Sequence, residues 1–423
     1  MNTNSHTERY TQLINLYLIL PSGELSSLTS IYIDSSTGII CNPPSISSSN
    51  KIKDIKIIDL NGKMISPGLI DIQINGAFGV DLSEFENTQK YIEGLKKMSK
   101  RLCEFGITSF LPTIISQKNQ KYQSILPILK QVTNLLFDKS DEMARSLGWH
   151  LEGPFINPCK SGCHPTINFV NASNGIKSLK EMYGDDNLKK NEKMIKMITL
   201  APEIKGILDV MPFLVRMNGK LAWVIRDNAT TQLAFEGISK GATLITHLFN
   251  AMPYMHHLEP GIIGLLGLPD HPSQVERPYF SIIADGIHVH PQIVSMAYNA
   301  HPEGCILISD AMHMLDPSLP DSTYPWRDGS IEKRDGGITL AGTNTLAGSI
   351  LPLCDAITNL SKFADIPLSK AIVCATYTPA KALGGEIERK VGLSIGCWAD
   401  LCIWDEKGLK GVWKGGKEVW HVA

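Results

Sequence analysis

Four side chains that can bind a metal ion or carry a proton each end an apolar segment, far apart in the chain. They are Glu152, His247, His288 and Asp310. A buried carboxylate is costly without a cation, and neutral imidazole is the commonest protein metal ligand. A strand-end Asp that faces a metal-bound water is well placed to act as general base and then general acid. Each residue alone also fits a solvated strand end, an ion pair or a hydrogen-bonded core position, but the four together favour metal-assisted hydrolysis.

The elements that would bring these residues together form a repeating pattern. Eight short apolar segments end in polar residues, at 64–74, 107–113, 147–152, 195–203, 221–227, 242–247, 279–288 and 305–310. Apolar residues every three or four positions at 91–105 and 122–136 predict amphipathic helices between strands. Eight strand–helix units predict a (β/α)8 TIM barrel, whose chemistry lies at the carboxyl ends of its strands.

Both ends of the chain have a different pattern. Short alternating or β-branched runs separated by Pro, Gly and Ser occupy the region before residue 67 and the region after residue 400. We therefore predict that residues 1–66 and 380–423 build one small β-sandwich domain, and that residues 67–379 form the barrel between them.

Composition limits the class of protein. The chain has 423 residues, 43% of them hydrophobic and 19% charged, and a net charge of −2. These values are ordinary for a globular protein, and they give no reason to expect binding to nucleic acid or to a membrane. The N-terminus lacks the apolar stretch of a secretory signal, and no run is long enough to span a bilayer.

The nine cysteines form no CxxC pair and mostly lie in apolar runs, which is typical of reduced residues in a cytoplasmic protein. Cys159, Cys163 and His164 are close enough to suggest zinc, but a second ligand pair is missing.

Five motifs make a family resemblance specific. They are PGLIDIQ at 67–73, HLEGPF at 150–155, THLFNAM at 246–252, ADG at 284–286 followed by His288, and LAGS at 346–349. In this order they resemble the N-acetylglucosamine-6-phosphate deacetylases of the amidohydrolase superfamily. Many amidohydrolases have His-x-His on the first strand, whereas Gln73-Ile74-Asn75 is similar to deacetylases with one metal ion.

The resemblance implies a role for each matching residue. Glu152 and His247 match metal ligands, and Asp310 matches the catalytic acid/base. The matching substrate contacts are Cys163, His164, Asn250, Ala251, Asp285, His288, Leu346, Ala347 and Gly348. His164 would lie near the acetamido carbonyl. The implied reaction is attack of a water activated by one divalent metal ion, zinc, on the acetamide of a phosphosugar in amino-sugar metabolism. The resemblance also implies a homodimer.

Two positions depart from the family. The fifth strand reads VIRDNAT at 224–230, so Arg226 stands where the family has a histidine that completes the metal site. Arginine stays protonated and has no lone pair for a metal. Leu258 stands where the family has an arginine that binds the phosphate, and leucine cannot form that bidentate pair.

These departures leave alternatives open. The Arg226 guanidinium could replace the positive charge of the metal by pairing with Glu152 or Asp310, or Asp227 could join Glu152 and His247 as a third ligand. The protein is then a deacetylase with a weakened or rearranged site, a catalytically impaired paralogue with a binding, regulatory or structural role, or an enzyme for a different amide substrate.

Overall fold

The computed structural model describes residues 8–44, 55–136, 142–189, 194–218, 222–225, 229–269, 275–327 and 329–422. The strands are β1 (Tyr10–Leu18), β2 (Thr29–Asp34), β3 (Ile39–Cys41), β4 (Ile55–Pro67), β5 (Leu69–Ile74), β6 (Gly76–Ala77), β7 (Val80–Asp81), β8 (Ile107–Ile115), β9 (Arg145–Ser146), β10 (Trp149–Glu152), β11 (Ile195–Leu200), β12 (Ala222–Ile225), β13 (Leu244–Ile245), β14 (Tyr279–Ile282), β15 (Cys305–Leu307), β16 (Ser322–Trp326), β17 (Gly329–Arg334), β18 (Gly337–Leu340), β19 (Leu401–Asp405), β20 (Gly408–Lys414) and β21 (Lys417–His421).

The helices are α1 (Thr88–Leu102), α2 (Asn119–Leu136), α3 (Ile176–Tyr183), α4 (Ile207–Asn218), α5 (Thr231–Ser239), α6 (Pro291–Ala300), α7 (Leu353–Ala364), α8 (Leu368–Val373), α9 (Tyr377–Leu383) and α10 (Gly385–Lys390). Short 3-10 helices include Pro158–Lys160, in the connection after β10.

Eight parallel strands form the central sheet, in the order β5, β8, β10, β11, β12, β13, β14 and β15. Seven of them lie within the segments predicted from the sequence, and β8 begins with its predicted segment but runs two residues past it, to Ile115. At the carboxyl ends of β5 and β15, Asp310 N donates to Gln73 O at 2.9 Å and Asn75 N donates to Ala311 O at 2.7 Å. These bonds join the first strand to the last, and the predicted (β/α)8 fold is confirmed.

Burial explains why these segments form barrel strands. All nine residues of β8 and all six of β5 are buried, which is typical of parallel strands covered on both faces. The predicted helix near residue 91 is α1, whose buried residues include Tyr91, Leu95, Met98 and Leu102.

The termini form a mixed sheet of seven strands, in the order β21, β20, β19, β4, β1, β2 and β3. The buried pair of Lys414 Nζ and Asp400 Oδ2, 2.5 Å apart, lies at its junction with the barrel, and Gly68 N donates to Asp400 O at 2.8 Å. The small sheet domain built from both termini is therefore present. The limits at 66/67 and 379/380 stay predictions.

One part of the fold was not predicted. The chain between β15 and α7 forms a separate antiparallel sheet of β16, β17 and β18. Within the described ranges no helix is long and apolar enough to cross a membrane.

Candidate active site

A cavity of about 520 Å³ opens at the carboxyl ends of the barrel strands. Eleven of the residues predicted for the site line it: Glu152, Cys163, His164, His247, Asn250, Ala251, His288, Asp310, Leu346, Ala347 and Gly348. Strands widely separated in sequence therefore bring the predicted residues to one place. Their individual roles stay predictions.

Asp310 follows β15 and is held by the end of β5. Its Oδ1 accepts hydrogen bonds from Asn75 Nδ2 at 2.7 Å and from Gln73 Nε2 at 3.2 Å. Its φ is 45°, a backbone conformation that costs energy outside glycine and occurs often at functional sites. The carboxylate is thus fixed by two amide donors and directed into the cavity.

Glu152 and His247 lie in direct contact on the same wall. Glu152 Oε1 is 3.2 Å from His247 Nε2, and each residue is only 3% exposed. The position of His247 is fixed by β14, because His247 N donates to Ser281 Oγ at 2.8 Å. Its φ of 28° is also unusual for a residue other than glycine.

His164 lies on the other side of Glu152, with its Nε2 3.7 Å from Glu152 Oε1. Ser116 N donates to His164 Nδ1 at 3.3 Å. Because this nitrogen accepts from an N–H group, the proton of the neutral ring belongs on Nε2, the nitrogen that faces Glu152.

His288 reaches the cavity, whereas Asp285 stands behind it. Asp285 Oδ2 is 2.5 Å from His288 Nδ1. Burial by itself raises the pKa of Asp285, but its hydrogen bonds with His288 and the charge of that ring lower the pKa below its ordinary value. Asp285 therefore orients His288, and it is not among the residues lining the cavity.

The structure describes only one of the two positions that depart from the family, Leu258 and Arg226. Leu258 is 80% exposed and does not line the cavity. Arg226 and Asp227 lie outside the described residues, so both hypotheses about their contacts stay predictions.

Residues that were not predicted for the site also line the cavity, among them Asn75, Lys160, His313, Trp326 and Arg327. Arg327 NH1 donates to Cys163 O at 3.4 Å, and its guanidinium carbon lies 4.2 Å from the centre of the Trp326 ring. Only Asn75 carried a signal in the sequence, as part of the segment that replaces His-x-His.

The described side chains do not complete a metal site. Catalytic zinc sites have three protein ligands, and in the described part of the chain no three His, Cys, Asp or Glu side chains are placed to hold an ion. Glu152 and His247 are close enough to share one, whereas Cys159, Cys163 and His164 do not form a metal-binding group. The segment in which the family resemblance implies a third ligand, at Arg226, lies outside the described residues.

Comparison with known proteins agrees with the fold and the motifs. The amidohydrolase family model matches residues 64–419. N-acetylglucosamine-6-phosphate deacetylase of Caenorhabditis elegans is 36% identical over 370 residues, 86% of this chain and 84% of that protein. The Danio rerio enzyme is 34% identical over 367 residues, 86% of each. The crystal structure of the Pasteurella multocida enzyme covers 97% of this chain and 99% of its own, with a TM-score of 0.80 at 24% identity, and supports the fold.

Members of the amidohydrolase superfamily bind a metal. The chain belongs to the amidohydrolase family and, within it, to the N-acetylglucosamine-6-phosphate deacetylases.

Proposed function

We propose that this protein hydrolyses the acetamide of N-acetyl-D-glucosamine 6-phosphate to D-glucosamine 6-phosphate and acetate, in amino-sugar metabolism. The observation that carries the proposal is the convergence of Asp310, Glu152, His247 and His164 on one cavity. Relatives at 33–36% identity that carry this activity support it. The catalytically impaired alternative gains no support from these relatives.

Asp310 is the acid/base in this proposal. Asn75 and Gln73 donate to the same Asp310 oxygen, and the two bonds fix the direction of the carboxylate. The carboxylate takes a proton from the attacking water as the water oxygen bonds to the acetamide carbon. It then returns that proton to the sugar nitrogen as the carbon–nitrogen bond breaks.

His164 orients and polarises the acetamide. In this proposal its Nε2–H, fixed by the contact of Nδ1 with Ser116, donates to the carbonyl oxygen, where negative charge develops. His288, oriented by Asp285, and the lining segment 346–348 are the proposed contacts of the sugar.

The metal expected here is zinc, because Glu and His donors suit it. The cytoplasm is the proposed location, since all nine cysteines are free thiols. A homodimer, implied by the family resemblance, is the proposed assembly, and analytical ultracentrifugation tests it.

Acetate release from N-acetylglucosamine 6-phosphate tests the function, with and without added zinc. We expect turnover by the unaltered protein, and Arg226→His to raise both bound zinc and rate, because an imidazole supplies the third ligand. An exposed-arginine variant, Arg334→His, is the matched control. If neither the unaltered protein nor Arg226→His releases acetate with zinc present, the paralogue hypothesis replaces this one.

A further inference from the structure

The ammonium group of Lys160 lies on the wall of the cavity. Lys160 ends the 3-10 helix Pro158–Lys160, its side chain is partly buried, and its Nζ donates to Met252 O at 3.2 Å. An ammonium group has three N–H donors, so donors remain after this bond. The chain thus brings a cation to the segment that follows His247.

That segment has further features of an anion site. Asn250 and Ala251 line the same cavity, and the buried Nδ2 of Asn250 has no hydrogen-bond partner. The φ values of Phe249 (76°) and Ala251 (55°) are positive. The Asn250 N–H is used within this turn, where it donates to His247 O at 2.9 Å, so the side-chain Nδ2 is the donor that Asn250 can offer to an anion.

Lys160 and Arg327, two cationic residues of the cavity wall, differ in the number of carboxylates near them. Arg327 NH2 lies 3.8 Å from Asp81 Oδ2 and its Nε lies 3.9 Å from Glu84 Oε1, so carboxylates already balance its charge. Lys160 forms no salt bridge with any carboxylate in the described ranges. An added anion therefore gains more from Lys160 than from Arg327.

The loop that carries Leu258 supplies no cation to this cavity. Leu258 is 80% exposed, and neither it nor His256 or His257 lines the cavity. Leucine thus replaces the phosphate-binding arginine that the family resemblance implies at this position, while Lys160 bonds to Met252 O, two residues after Asn250.

We propose that Lys160 is the specificity-determining residue that recognises the 6-phosphate of the substrate, together with the Asn250 amide, in place of an arginine at position 258. This inference rests on the proposed function for the identity of the sugar. The binding chemistry requires only a phosphate monoester.

The test compares Lys160→Gln with Lys160→Arg. Glutamine keeps an N–H donor but carries no charge, and arginine keeps the charge. The kcat/KM ratio for N-acetylglucosamine 6-phosphate over N-acetylglucosamine is measured for each. We expect roughly ten- to hundredfold lower selectivity in Lys160→Gln, through KM for the phosphosugar, and nearly full selectivity in Lys160→Arg. Lys177→Gln, which changes an exposed lysine on α3, is the control.

Binding of glucosamine 6-phosphate and of glucosamine, measured by calorimetry, separates this inference from the proposed function because it needs no turnover. Lys160-dependent binding of the phosphosugar without hydrolysis would refute the function and uphold the subsite. Unchanged selectivity in Lys160→Gln, an equal loss in Lys160→Arg, or a loss in Arg327→Gln alone would overturn the role of Lys160.

Discussion

Asn75 and Asp310 are 235 positions apart, yet a hydrogen bond of 2.7 Å joins Asn75 Nδ2 to Asp310 Oδ1. Asn75 follows the first barrel strand and Asp310 follows the last, so this bond exists only when the barrel closes. Closure of the barrel is therefore required for Asn75 to orient the proposed acid/base.

Replacing Asn75 by alanine removes this donor and leaves Gln73 as the remaining amide partner. A hydrogen bond to a charged group contributes about 1.5–3 kcal/mol, so we expect kcat to fall roughly ten- to hundredfold with KM little changed. Steady-state kinetics on N-acetylglucosamine 6-phosphate measure the effect. Asn299→Ala, on an exposed helix face, is the control. An unchanged kcat would show that Asn75 does not position the carboxylate.

Asp310→Asn tests the acid/base directly. Asparagine keeps the size of the side chain but cannot take a proton at neutral pH. We expect turnover to fall by about 10²–10⁴-fold, the usual contribution of acid/base catalysis. Phosphosugar binding, measured by calorimetry, should persist, which separates lost chemistry from lost folding. Wild-type turnover in this variant would refute the assignment.

Asp71 makes stability depend on pH in an unusual direction. The side chain is fully buried below the site, its Oδ2 has no hydrogen-bond partner, and burial raises its pKa from 3.8 to about 7. Between these values the folded state binds more protons than the unfolded state. Asp71 therefore makes the free energy of unfolding larger at low pH, and this free energy decreases as the pH rises from about 4 toward 7.

Asp71→Asn should remove this dependence. We expect the variant to match the parent protein near pH 4 and to exceed its stability at pH 8 by up to about 4 kcal/mol, at 1.36 kcal/mol for each pKa unit. Urea denaturation across this range measures the difference, and titrations common to both proteins cancel. Parallel pH profiles would show that Asp71 does not titrate in this window.

Lys414→Met tests the contact between the terminal sheet and the barrel. The change leaves Asp400 buried without its close ammonium partner, so we expect a loss of about 3–5 kcal/mol in the free energy of unfolding. Lys407→Met, at an exposed turn of the same sheet, should change it little. The double variant with Asp400→Leu should recover part of the loss. A single variant as stable as the parent would contradict this role.

The sequence predicted those parts of the fold that depend on local periodicity. The eight barrel strands could be predicted because burial on both faces requires continuous apolar runs. The order of these runs and the four polar residues at their ends could be taken directly from the sequence. The Asn75–Asp310 hydrogen bond could not be predicted, because it depends on pairing between strands that are distant in the sequence. The sheet of β16, β17 and β18, next to Arg327, was missed because few of its residues are buried. Of the ten residues in β17 and β18 only Ile331, Lys333 and Ile338 are buried.

Leu258→Arg tests the predicted homodimer together with phosphate recognition. On its own subunit the side chain is 80% exposed and does not line the cavity, so we expect an arginine there to reach a phosphate in the site of a partner subunit. We expect roughly ten- to hundredfold tighter binding of glucosamine 6-phosphate and no gain for glucosamine, since a charge-assisted bond is added. The gain should disappear on dilution to monomer, followed by calorimetry and ultracentrifugation. Equal affinity in the variant and the parent, or a gain that survives dilution, would show that this loop does not complete a neighbouring site.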